Sequence, residues 1–263
     1  MNSLHIVFDW DGTLSFIRAG WGEVMLRQWL EFLPPSAGES AESRSAMAHR
    51  EIWALNGRPS IHQMERLGVL VAERGGTPWH PDRYQDDFQE RLGRLIRQRM
   101  DSIREGAHTA DHYMVRGARA FLERFRQAGA TLHIVSGTPR PAVSAEVDCL
   151  GVRGFFGERI HGPTGLTDTS FHKRNAIRDI VQAHGLDPVQ SLVSFGDGAV
   201  EIAETKATRG RAIAVAADEE HWHSGRWDES KRQRLTEAGA DYAIPDYHDP
   251  SGVWAWLGQP GRA

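Results

Sequence analysis

The chain has 263 residues, 40% of them apolar and 25% charged, with a formal net charge of −4. Its longest apolar run is Ala212–Ala217, and its one cysteine, Cys149, allows no internal disulfide. Collagen-like, disordered, membrane-spanning and disulfide-built chains are therefore excluded, and the charge balance argues against a bulk nucleic-acid binder. The opening Met1-Asn2-Ser3-Leu4-His5 lacks the basic and apolar regions of a signal peptide, so a cytoplasmic chain in a reducing compartment is expected.

In chain order, Leu4–Phe8 is the first strand signal, ending at Asp9-Trp10-Asp11-Gly12. From Phe16 to His112 nothing has the character of a buried parallel strand. Helical periodicity takes over at Trp21–Phe32, Ser45–Leu55, Ile61–Arg74 and Asp82–Glu105, separated by loops rich in Pro and Gly. Strand and helix then alternate. Strands are expected at Thr131–Val135, Ser191–Phe195, Ala212–Ala216 and Asp241–Ile244. Helices are expected at Ala118–Ala128, Ala142–Leu150, Lys173–His184, Val200–Ala207 and Glu229–Ala238, with a terminal docking helix at Val253–Leu257. The pattern specifies an α/β fold: a Rossmann-like parallel sheet at 1–15 and 113–263, interrupted by an all-helical insertion at 16–112.

Three of the expected strands stop in polar clusters bearing glycine: Asp9-Trp10-Asp11-Gly12, Ser136-Gly137-Thr138 and Gly196-Asp197-Gly198. Ligands of open α/β sheets bind at the carboxyl ends of the strands, so Asp9, Asp11, Ser136 and Asp197 are expected to meet. Two unit charges 4 Å apart repel by about 4 kcal/mol at an effective dielectric near 20, so a carboxylate cluster including Glu201 calls for a cation. Oxygen donors without sulfur or paired histidine favour Mg2+, which binds through one or two carboxylates plus a substrate phosphate. Thr138-Pro139 has the pattern of an N-cap and first helical residue, aiming a helix end at the crevice.

These motifs resemble those of the haloacid dehalogenase superfamily. Val7-Phe8-Asp9-Trp10-Asp11-Gly12-Thr13-Leu14 is similar to its D-x-D-G-T motif, Val135-Ser136-Gly137-Thr138 to its second motif, and Lys173 to its third-motif lysine. Phe195-Gly196-Asp197-Gly198-Ala199-Val200-Glu201 resembles the acidic fourth motif, with Glu201 where a second aspartate is more usual. The resemblance implies Asp9 as nucleophile, Asp11 as acid and base, and Ser136 and Lys173 as ligands of the transferring phosphoryl group. It also implies metal ligation by Asp9, the Asp11 backbone and Asp197, with Glu201 nearby. Gly137 and Thr138 would border the phosphate. The helical insertion resembles a C1-type cap, in which Arg18, Trp21 and Arg58 are candidates for contacts to the leaving group.

Within the superfamily that these motifs resemble, an acid at the Asp11 position and a cap without lysine, as between Phe16 and His112, imply neither carbon–halogen nor phosphonate cleavage. The expected activity is Mg2+-dependent hydrolysis of a small phosphorylated metabolite, foremost a sugar phosphate, with no nucleic-acid or membrane partner. A phosphomutase, a nucleotide or phosphoglycolate phosphatase, a non-catalytic phosphometabolite-binding module and a receiver-like regulator phosphorylated on Asp9 remain alternatives, and no signal fixes an oligomeric state. His221-Trp222-His223 is expected to be a surface loop, Cys149 a small buried residue, and Trp29 and Trp53 core residues of the insertion.

Overall fold

A computed structural model describes residues 4–55, 59–166, 168 and 170–258. It contains a six-stranded, wholly parallel sheet in the order β3-β2-β1-β4-β5-β6. The strands are β1 (His5–Phe8), β2 (Thr131–Val135), β3 (Ile160–His161), β4 (Leu192–Gly196), β5 (Arg211–Val215) and β6 (Tyr242–Ile244). Five were expected. The sixth, β3, has only two residues, too few for a periodic signal, and is recruited by pairing Ile134 with Ile160 and Val135 with His161.

The chain divides into two compact units, Met1–Ile17 with Arg99–Ala263, and Arg18–Gln98. The expected boundaries at Ser15-Phe16 and His112-Tyr113 are thus displaced: Phe16, Ile17 and residues 99–112 belong with the sheet. Arg99 accounts for part of this, since its guanidinium donates to the carbonyls of Phe16 (3.1 Å) and Ile17 (2.8 Å). Phe16 itself stacks on Trp222, at 5.4 Å between centroids.

In the second unit, α1 (Trp21–Phe32), α2 (Ala41–Ala54), α3 (Ile61–Glu73) and the part of α4 (Pro81–Arg104) up to Gln98 enclose a separate core. Met25, Trp29, Ile52, Met64, Leu67 and Tyr84 are buried in it. Gln28, also buried, donates to the Tyr84 carbonyl (2.7 Å) and to Asp87 (2.9 Å), tying α1 to α4. Helix α2 starts earlier than its apolar periodicity indicates because Ser40 caps it, accepting from the Ser43 N–H at 3.1 Å. Trp53 is 41% exposed rather than core, and packs edge-on against Trp21 at 5.1 Å.

In the first unit, helices cover both faces of the sheet, as an all-parallel sheet requires. They are α5 (Ala118–Gln127), α6 (Arg140–Cys149), α7 (Arg153–Phe156), α8 (Lys173–Ala183), α9 (Pro188–Ser191), α10 (Ala199–Ala207), α11 (Glu229–Glu237) and α12 (Ser251–Leu257). All four residues of β1 are buried, which is why it shows no apolar–polar alternation. Phe8 stacks on Phe195 at 4.9 Å, and Phe121, Phe125, Phe156 and Tyr247 complete an aromatic layer. Val7 and Val135, which face the opposite side, join Ile177 and Ile180 of α8. The terminal helix docks as expected, with Val253 and Leu257 buried. Cys149 is half-buried rather than buried.

Candidate active site

Strand order decides where the polar clusters meet. Asp9, Ser136 and Asp197 each follow directly on β1, β2 or β4, which are neighbours with β1 in the middle. The ladders run one residue further: Asp9 N–H donates to the Phe195 carbonyl and Ser136 N–H to that of His161, both at 2.9 Å. Side chains from three distant parts of the sequence are thereby held at one end of the sheet, where connections diverge to its two halves.

Asp9 is 6% exposed, and its carboxylate accepts from the Trp10 backbone N–H at 2.8 Å and from Lys173 at 3.0 Å. Lys173 opens α8 and also pairs with Glu201 in the first turn of α10. Burial pushes the Asp9 carboxyl well above the usual range; the Lys173 ammonium opposes this, and Glu201 and Asp197 reinforce it. Burial also pushes Asp197 up, to about 6, against the pull of Lys231. Burial would raise Glu201 too, but Lys173 and the hydrogen bonds around it outweigh burial and hold it at about 2.

Asp11 lies in the turn after β1, where Gly12 has φ +69° and a Cβ would stand 2.2 Å from Asp197 Oδ2. Only glycine lets that turn pass so close to the end of β4. Thr138 was expected as an N-cap. Instead Pro139, with ψ 131°, precedes α6, and the Thr138 hydroxyl donates to Asp11 Oδ2 at 2.7 Å. The Thr138 N–H donates to Ser136 Oγ at 3.0 Å, closing the 136–138 loop on itself. A Cβ on Gly137 would meet only Lys173 Cε, at 3.8 Å.

Four contributors were not anticipated as site residues. Lys231, buried in α11, pairs with Asp197 at 3.2 Å and with Glu219 at 2.6 Å. Thr13 donates its hydroxyl to Asp197 Oδ1 at 3.3 Å, and the Tyr247 hydroxyl donates to the Thr13 carbonyl at 3.0 Å. The scarcity of lysine was the one signal that could have exposed Lys231, which is one of three in the chain. Arg18 and Trp21 belong to the second unit. Arg58 lies outside the described residues.

Asp9, Asp197 and Glu201 offer carboxylate oxygens within 4.8 Å of one another. Two ammoniums, Lys173 and Lys231, face four carboxylates, those of Asp9, Glu201, Asp197 and Glu219. With all four ionised the excess is two negative charges, before Asp11 is counted; the upward push on Asp9 and Asp197 marks that missing counter-charge, and the all-oxygen donor set fits a hard divalent cation such as Mg2+.

A Rossmann-like parallel sheet with carboxylates and a lysine gathered at the carboxyl ends of its central strands defines an α/β protein with an anionic, cation-ready crevice. The sequence profile of the haloacid dehalogenase-like hydrolases matches residues 6–200, and the chain belongs to that family. A conserved haloacid dehalogenase-like protein of unknown function from Agrobacterium tumefaciens has a similar structure (TM-score 0.67, 17% identity, covering 98% of this chain and 100% of that one). So has a HAD family hydrolase from Deinococcus radiodurans with bound phosphate and sodium (0.63, 16%, 97% and 96%). A predicted phosphoglycolate phosphatase from Haemophilus somnus is likewise similar (0.64, 14%, 97% and 99%). No curated protein sequence matches the chain.

Proposed function

We propose that the protein is a Mg2+-dependent phosphatase acting on a small phosphorylated metabolite, foremost a sugar phosphate, through an aspartyl-phosphate on Asp9. The observation that carries this reading is the pairing of two differently held aspartates. Asp9 is buried against Lys173 at 3.0 Å, and Asp11 accepts the Thr138 hydroxyl at 2.7 Å. Two carboxylates in unlike surroundings are suited to unlike tasks, one nucleophilic and one acid–base.

Asp9 attacks phosphorus in line, forming the acyl-phosphate bond as the bond to the leaving oxygen breaks. Asp11 gives that oxygen its proton, then takes one from the water that cleaves the intermediate and frees inorganic phosphate. Lys173 favours the ionised form of Asp9 against its burial and, with the Ser136 hydroxyl, binds the phosphoryl oxygens, where stabilising charge is most of the catalysis. Asp9, the Asp11 backbone carbonyl and Asp197 would hold Mg2+, with Glu201 turned towards Lys173. When bound, that ion screens the nucleophile from the phosphate and polarises the phosphoryl oxygen. Lys231, Thr13 and Tyr247 keep Asp197 and the turn after β1 in register. Gly137 and Thr138 border the phosphoryl group, and Arg18, Trp21 and Arg58 are proposed to select the leaving group.

The test is phosphate release from p-nitrophenyl phosphate and a panel of sugar phosphates, nucleotides and phosphoglycolate, with MgCl2 or EDTA. Turnover should require Mg2+ and fall at least about 10³-fold in Asp9→Asn and Asp11→Asn. Arg18→Ala and Arg58→Ala should raise KM for the preferred ester more than for p-nitrophenyl phosphate. Unchanged turnover in Asp9→Asn would refute the nucleophile, and conversion of a sugar phosphate to its isomer without phosphate release would identify a mutase.

A further inference from the structure

Away from the carboxylate crevice, three imidazoles converge on the face of the sheet that packs against α8. His5 opens β1, His133 lies inside β2, and His184 terminates α8. Side chains two apart share a strand face. His5 therefore lies on the side of Val7, and His133 on the side of Val135, among the aliphatic residues Ile177, Ile180 and Leu192. His5 and Asp9 occupy opposite ends of β1, about 13 Å apart along the strand.

His5 Nδ1 and His133 Nε2 are 3.1 Å apart. The ring centroids of His5–His133, His5–His184 and His133–His184 are separated by 5.3, 4.4 and 5.9 Å. One nitrogen of each ring lies within 4.8 Å of the other two. A tetrahedral ion about 2.1 Å from each of three imidazole nitrogens places those nitrogens about 3.4 Å apart and the rings about 5 Å apart. The three ring separations bracket the second value, and the His5–His133 nitrogen distance lies 0.3 Å from the first.

Aliphatic side chains would fill this layer without the cost of buried ring nitrogens. His5 and His133 are almost fully buried, and His133 Nδ1 and the neighbouring His161 Nε2 have no hydrogen-bond partner among the described residues. The His5 Nδ1–His133 Nε2 contact is itself a hydrogen bond, whose proton a bound cation would displace. Arg159 contributes a repulsive charge, but its guanidinium is engaged with the Leu132 and Phe155 carbonyls. His184 is exposed, which leaves the cluster a side open to solvent.

We propose that His5, His133 and His184 form a site for a divalent first-row transition metal of the zinc class, pinning β1 and β2 to the end of α8. It takes a borderline cation through nitrogen, whereas the crevice offers a hard cation oxygen only.

The experiment is titration of the full chain with Co2+ alone, read by visible absorption. One equivalent should produce the intense bands of tetrahedral cobalt, displaced by Zn2+ and retained in Asp197→Asn. His184→Ala, at an exposed position, should keep its circular dichroism and bind Co2+ at least about tenfold more weakly, since even outer partners of a ligand contribute 10–100-fold. His133→Gln should abolish the bands. Weak octahedral bands alone, loss of the signal in Asp197→Asn, or undiminished affinity in His184→Ala would each overturn the site.

Discussion

Thr138 illustrates how a residue's neighbours on the chain can mislead. Beside Pro139 it has the pattern of a helix cap, yet its hydroxyl is 2.7 Å from Asp11, 127 positions away. A hydrogen bond to a charged group contributes about 1.5–3 kcal/mol. Thr138→Val is therefore expected to lower kcat about tenfold or more and to lower the thermal unfolding midpoint by a few degrees as well. A kcat within about twofold of wild type would separate Thr138 from the acid–base step. His133 carries a different prediction. Burial, with His161 and His5 beside it, holds its imidazole at about 3, against an unfolded value of about 6.5. Stability from a depressed histidine is complete above the unfolded value and is lost as pH falls towards the folded one. In EDTA, wild type should lose about 2 kcal/mol between pH 6.5 and 5 relative to His133→Gln, measured by urea unfolding at each pH. Asp9 and Asp197, pushed up by burial, tilt the curve the other way in both proteins and cancel in the difference.

At the scale of elements, periodicity located the long helices and the central strands because each has a face or a full run of buried side chains to display. It failed where the element is made by its partner. Strand β3 exists through pairing with Ile134 and Val135, and α2 begins at the Ser40 cap. The start of α5 shows a further dependence on context. Gly117, with φ +80°, precedes it, and a Cβ there would lie 2.6 Å from the Tyr247 carbonyl carbon. The Tyr247 N–H donates to the Arg116 carbonyl at 2.9 Å, so the two segments cannot separate freely. Gly117→Ala combines left-handed strain with a backbone clash and should destabilise the protein by about 2 kcal/mol or more. Because Tyr247 also bonds Thr13, turnover should fall together with the unfolding midpoint. A midpoint within error of wild type would show that the turn relaxes without cost.

For the whole molecule, the two compact units and their separate cores imply separable stability. Trp29, fully buried in the second unit, leaves a large cavity when truncated; Phe or Trp to Ala in a core costs about 3–5 kcal/mol. Trp29→Ala should accelerate hydrogen exchange throughout 18–98, while protection in β1, β2 and β4 stays close to wild type. Equal loss of protection in both regions would show that the units unfold as one.

The charge of the entire chain, −4, gives little warning of the crevice, where four carboxylates face two lysines. By itself the sequence determined the α/β class, the run of helices after the first strand and the strand ends at which Asp9, Ser136 and Asp197 stand. These are legible because buried strands, periodic helices and strand-end glycines are local consequences of backbone geometry. Tertiary structure alone decided that Thr138 serves Asp11, that Lys231 and Glu219 complete the charge balance around Asp197, and that residues 99–112 belong with the sheet. It also brought His5, His133 and His184 together. Each of these depends on residues distant in sequence being placed within hydrogen-bond or ligand distance by the order of strands, and no local pattern encodes that order.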